Sequence, residues 1–135
     1  MNVIVTDTYY NVKRCEENPN SLFVFGDNQK DRRGFGGQSC IRNEINAVGI
    51  ATKKNIYEYF SDNDYWDNIK VINNDIFKVK EMYINDMYTS LIFPSQGLGT
   101  GLSNLHVVAP RTFLYLCERL LDEFNFNNLS NLKSK

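Results

Sequence analysis

The chain has 135 residues, 42% of them hydrophobic and 23% charged, with a formal net charge of −1. That length and mix predict one domain that closes its own hydrophobic core, and the near-zero charge excludes an electrostatic footprint for a long nucleic acid. Three widely separated cysteines, Cys15, Cys40 and Cys117, and a single histidine, His106, argue against a disulfide framework or a metal site.

No apolar run approaches the length of a membrane span, and the first residues lack a signal-peptide layout. A cytoplasmic location is therefore expected, in a host's cytoplasm if the abundant Asn reflects a viral source. Asn2 to Val5 predicts a short strand that ends at Thr6-Asp7, where an acid serves as a turn former. Asn11 to Asn20 is polar, with room for a helical turn before Pro19. Ser21 to Phe25 is an apolar, aromatic run of strand length, expected to be buried on both faces.

That strand runs into Gly26-Asp27-Asn28 and a first glycine loop through Gly37, which carries Lys30, Arg32 and Arg33 and ends in Gly34-Phe35-Gly36-Gly37. Gln38 to Asn46 is expected to be a helix. A strand, a bare loop and a helix start together suit an anion, because first-turn amides lack partners and side chains do not obstruct them. Taken alone, the basic cluster reads as a solvated turn; its place between two glycine loops makes an anion-binding role an equally good reading.

Ala47 to Thr52 predicts the next buried strand, followed by Lys53-Lys54. Asn55 to Asp64 has no firm period. Its Tyr57, Tyr59 and Phe60, with Tyr65, are expected to form an exposed patch that meets a partner, or to line a cleft rim or the core. Asp64 is placed as the N-cap of a long helix through about Tyr83, with Trp66, Ile69, Ile76, Val79 and Tyr83 on its core stripe. Thr89 to Phe93 predicts another strand, which leads into a second glycine loop with Gly97, Gly99 and Gly101 at alternate positions. Successive amides in such a loop can face one small anion; a plain strand-to-helix turn is the other reading. The last helix is expected from about Leu105 to Phe124, with Pro110 imposing a kink or a restart. Asn125 to Lys135 is expected to fray, which places a domain over residues 1–126 and a polar tail over 127–135.

Strands alternating with helices predict a three-layer α/β domain around a mostly parallel sheet. Ligands of such sheets sit beyond the carboxyl ends of the strands, so the two glycine loops should meet across one cleft.

The order Val3-Ile4-Val5-Thr6-Asp7, Phe23-Val24-Phe25, Gly34-Phe35-Gly36-Gly37, Ile50-Ala51-Thr52-Lys53-Lys54 and Pro94-Ser95-Gln96-Gly97-Leu98-Gly99-Thr100-Gly101-Leu102 resembles the macrodomains, ADP-ribose-binding α/β modules. The likeness is closest to the branch of terminal ADP-ribose glycohydrolases and antitoxins that strip ADP-ribose from DNA. The resemblance implies that Asp7 accepts from the adenine amino group. It implies that Gly34, Phe35, Gly36, Gly37 and Gln38 face the distal ribose and one phosphate, and that Ser95, Gln96, Gly97, Leu98, Gly99, Thr100, Gly101 and Leu102 wrap the diphosphate. Asp27 and Asn28 fall near the distal ribose and are the candidates to orient a catalytic water. Where those enzymes carry a nucleophilic lysine the motif alignment places Arg42, whose guanidinium holds no neutral nitrogen at neutral pH, and where they carry an acid it places Ser103. Three functions stay open: a binder of ADP-ribose or a related NAD-derived or cyclic nucleotide without turnover, a hydrolase acting on ADP-ribosylated protein or nucleic acid, and an interaction scaffold that has lost its ligand. None requires a cofactor or a metal.

Overall fold

The computed structural model describes residues 1–30 and 36–129. The elements are β1 (Val3–Thr6), α1 (Val12–Glu17), β2 (Ser21–Asn28), a 3-10 turn (Gly37–Ile41), β3 (Ala47–Lys53), α2 (Tyr65–Asn85), β4 (Ser90–Pro94), α3 (Leu105–Val108) and α4 (Pro110–Phe124). The four strands form one all-parallel sheet in the order β1-β4-β2-β3. The domain is therefore α/β, as the alternation of elements predicts.

Burial explains the order. Leu22, Phe23, Val24 and Phe25 are each at most 1% exposed, and a run buried without alternation belongs at the centre of a parallel sheet. Its side chains divide between two cores. Leu22 and Val24 join Ile72, Ile76 and Val79 of α2 and Phe113, Leu116 and Leu120 of α4. Phe23 and Phe25 meet Tyr10, Cys15 of α1 and Ile41. Helical segments thus pack on both faces. The other edge of the sheet, β1, alternates poorly and leaves Ile4 and Val5 exposed.

Several expectations are corrected. The helix expected over Gln38 to Asn46 is only the 3-10 turn Gly37–Ile41, followed by turns as far as Asn46. Pro110 produces a restart: α3 stops at Val108 and Pro110 is the first residue of α4, where its missing N–H has no bond to break. Trp66, expected in the core, is 66% exposed. The buried stripe of α2 keeps the expected Ile76 and Val79 and also takes in Asn68, Ile72 and Asp75, because the two polar residues on it have partners. Asp75 accepts the amide of Ala51 on the outer strand β3 (2.8 Å), and Asn68 donates to Thr112 Oγ1 (3.1 Å). Phe60 is buried in the core, whereas Tyr57 and Tyr59 are exposed.

Residues 125–129 do not fray. Phe126 stacks on Phe93 with ring centroids 4.6 Å apart, and Asn128 is 2% exposed. Asp64 is the N-cap residue of α2, as expected, but makes no side-chain cap bond. Asp62 instead caps α4, accepting the amides of Arg111 and Thr112 (2.9 Å each) and the Thr112 hydroxyl (2.8 Å). Burial pushes the Asp62 carboxyl up, but these hydrogen bonds and the Arg111 charge outweigh it and hold the group below its ordinary value.

Candidate functional site

The site begins where two strands part. β2 and β4 pair from Ser21/Ser90 to Phe23/Ile92 and no further, although both strands continue beyond that point. β2 and β3 lie to one side of this line, and β4 and β1 to the other, so it is the switch point at which an open parallel sheet leaves a crevice. The Tyr10 hydroxyl fills its base, 2.8 Å from the Val24 carbonyl and 3.2 Å from that of Ile92. Burial raises the Tyr10 phenol well above its ordinary pKa, which keeps it a neutral donor. Above it the Gln38 amide spans the gap, accepting the Gly26 amide and donating to the Gly97 carbonyl, both at 2.9 Å.

Over that floor opens a cleft of about 290 Å³. A bulge shapes one wall: Asp27 pairs with Ala51 but Asn28 with Lys53, so Thr52 is skipped. Bulges re-aim side chains in this way beside functional sites, and Asp27, Asn28, Thr52 and Lys53 all line the cleft. The Asp27 side chain, 2% exposed, packs on Gly49, where a Cβ would lie 2.7 Å from the Asp27 Cβ. Its Oδ1 accepts from Arg42 Nε (3.0 Å) and from the Asn28 amide (2.8 Å), and it also pairs with Arg42 Nη2. A buried pair of this kind is expensive to break from one side, at about 3–5 kcal/mol. Arg42 therefore holds Asp27 in place, and with those two charges offsetting each other Lys53 supplies the excess positive charge among the described lining residues.

The opposite wall is the second glycine loop. Gln96, Gly99, Gly101, Leu102 and Ser103 line the cleft and face Gly36 and Gly37 of the first loop. Thr100 donates to the Gln96 carbonyl (2.6 Å) and closes the loop on itself. Behind it, Asn128 pairs with both backbone groups of Leu98, at 2.7 and 2.9 Å. The amides of Thr100, Gly101, Leu102 and Ser103 donate to no acceptor among the described residues. Among the described residues, Gly101 has nothing within 4 Å of where a Cβ would stand, and Gly36 has only the tip of Leu102, at 3.1 Å. Neither has a left-handed backbone. A glycine that neither crowding nor backbone geometry demands leaves room for something to approach.

The residues nominated from the sequence are thus only partly assembled. Asp27, Asn28, Gly36, Gly37, Gln38, Gln96, Gly99, Gly101 and Leu102 line one cleft. Gly97 and Leu98 are buried behind it, and Ser95 and Thr100 are not among its lining residues. Asp7 is exposed at the end of β1, outside the lining. Arg32, Arg33, Gly34 and Phe35 lie outside the described residues. Sequence reasoning passed over Lys53, although its place at the carboxyl end of a strand was signal enough. It could not have found Asn128, which acts from 30 residues away.

A family model matches residues 5–119. The chain belongs to a family of unknown function, DUF7831. No curated protein and no solved structure matches it. The stretch matched to DUF7831 contains every lining residue of the cleft, whereas Asn128 lies beyond it.

Proposed function

We propose that the cleft binds ADP-ribose or a related NAD-derived or cyclic adenine nucleotide, as in a macrodomain-like module that recognises or sequesters its guest. The observation that carries this is the wall formed by Gly36 and Gly101, where bare backbone faces the cleft without a structural need for glycine. The amides from Thr100 to Ser103, which donate to no acceptor among the described residues, supply donors of the kind that hold a diphosphate, and Lys53 adds positive charge at the rim. Arg42 is not a nucleophile in this reading. Its guanidinium stays protonated and its hydrogen bonds hold Asp27. Isothermal titration of micromolar protein with ADP-ribose should give saturable heat, with the ligand recovered unchanged. Absence of heat with ADP-ribose, NAD and cyclic ADP-ribose alike overturns the reading.

A second reading, hydrolysis of an ADP-ribosyl bond on protein or nucleic acid, is favoured by one observation: a lysine does border the cleft, as Lys53. Its amine donates to the Ile56 carbonyl (3.2 Å) and stands 4.8 Å from the Tyr59 ring centroid. Release of free ADP-ribose that disappears in Lys53→Ala would favour turnover over sequestration. Asp27→Ala is a poor test of catalysis, because it strands the Arg42 charge in the interior.

A further inference from the structure

The cleft, at about 290 Å³, sits at the lower limit of ligand pockets, roughly 300–1,000 Å³. A guest the size of a dinucleotide must therefore extend over a rim. On the β1 side stands Asp7, outside the lining. On the β3 side the lining residues Lys53 and Ile56 lead directly into two exposed tyrosines, Tyr57 at 82% and Tyr59 at 48%. We infer that the base of the guest stacks on this tyrosine rim beside Lys53, and that Asp7 does not read it. The inference rests on the nucleotide-binding reading given above and adds the guest's direction across the sheet.

The rim is built to hold its shape. Asn55 Oδ1 accepts the amides of Tyr57 (2.8 Å) and Glu58 (2.9 Å), and the Asn55 amide donates to the Glu58 carbonyl (3.2 Å). Lys53 closes the same turn from inside by donating to Ile56, and its cation rests against Tyr59. The turn is thereby ordered while the Tyr57 ring remains open to solvent. A large aromatic surface left wet on a pinned turn loses little entropy when a flat ring covers it, and base-on-aromatic stacking contributes about 1–3 kcal/mol. Lys53, next to the stacked base, would face the adjoining phosphate.

The test compares Tyr57→Ala, Tyr57→Phe and Asp7→Ala by titration with ADP-ribose, and by emission of its 1,N6-etheno analogue. Tyr57 and Asp7 are both exposed, so these variants should fold. Tyr57→Ala should weaken ADP-ribose about tenfold or more. Tyr57→Phe should keep the wild-type affinity, since the stacking face survives, and Asp7→Ala should leave it unmoved. Wild-type protein should quench the etheno base and Tyr57→Ala should not. Full affinity in Tyr57→Ala with a loss in Asp7→Ala places the base on the β1 side and overturns the inference, while the cleft reading survives. No binding of ADP-ribose to the wild-type chain removes both together.

Discussion

Gly97 and Gly101 stand four residues apart in one loop, and they are glycine for opposite reasons. Gly97 has φ +84°, and a Cβ there would lie 2.8 Å from Asn128 Oδ1 and 2.9 Å from the Asn128 carbonyl oxygen. Gly101 has an ordinary backbone, and no atom of the described residues lies within 4 Å of that position. The first belongs to the frame, where the chain end locks the loop from behind. The second belongs to the surface that the frame presents. One motif therefore contains residues whose replacement should destabilise the fold and residues whose replacement should only close the cleft.

The largest effect that tests this contrast is expected at Gly97. Alanine in a left-handed conformation costs roughly 1–2 kcal/mol, and the collision with Asn128 adds to it. Gly97→Ala should destabilise the fold by at least about 2 kcal/mol, a fall in Tm of about 6 °C or more for a domain of this size. Thermal unfolding followed by circular dichroism measures it. A variant that melts with the wild type would mean that the chain end does not clamp the loop, and the division within the motif would fail.

Much of the frame is legible in the sequence. The four consecutive buried residues Leu22 to Phe25 mark the central strand because a parallel sheet dries both faces, and the alternation of strands with a long helical pattern implies the α/β class. Pro110 announced a break because its ring cannot follow a preceding helical turn. What stayed hidden depends on contacts distant in sequence. On α2 the apolar spacing finds Ile76 and Val79 but not Asn68 and Asp75, which look polar until Thr112 and the Ala51 amide supply their partners. Trp66 filled their place only on paper, since apolar spacing cannot tell a core residue from one that sits on the surface beside Tyr65 and Arg111. For the site, the glycine spacing marks two loops that line one cleft but gives Gly97 and Gly101 the same role. Telling them apart needs Asn128, whose amide has no local signature.

A smaller effect should come from the frame's pH-sensitive anchor. Asp62 caps α4 from outside the helix, and its pKa in the folded chain is lowered. A carboxyl lowered on folding stabilises at pH values above its unfolded pKa, near 3.9, and that contribution fades as the pH falls through the folded value. At neutral pH, Asp62→Ala should cost about 1 kcal/mol, or about 3–5 °C in Tm. Below about pH 4 the gap between variant and wild type should narrow. A gap of constant size down to pH 3 would assign the loss to packing and not to the charged cap. Because Asp62 is not among the lining residues of the cleft, binding at neutral pH should survive in whatever fraction stays folded.

The smallest effect on stability, and the sharpest separation, is expected at Gly101. Alanine there meets no atom of the described residues within 4 Å, and it restricts the unfolded chain, so Gly101→Ala should leave stability unchanged or raise it by up to about 0.5 kcal/mol. The added methyl would nevertheless stand on the wall that the proposed guest must touch. Overpacking costs about 1–3 kcal/mol, so the affinity for ADP-ribose should fall about tenfold in a protein that melts normally. If Gly101→Ala melts early, an unseen constraint governs the loop, and its bare wall says nothing about a ligand. If it melts normally and binds as the wild type does, the guest does not press on this side, and the cleft is held from the Gly36 wall alone. Loss of affinity with an intact melting curve is the outcome that only a guest seated against Gly101 explains.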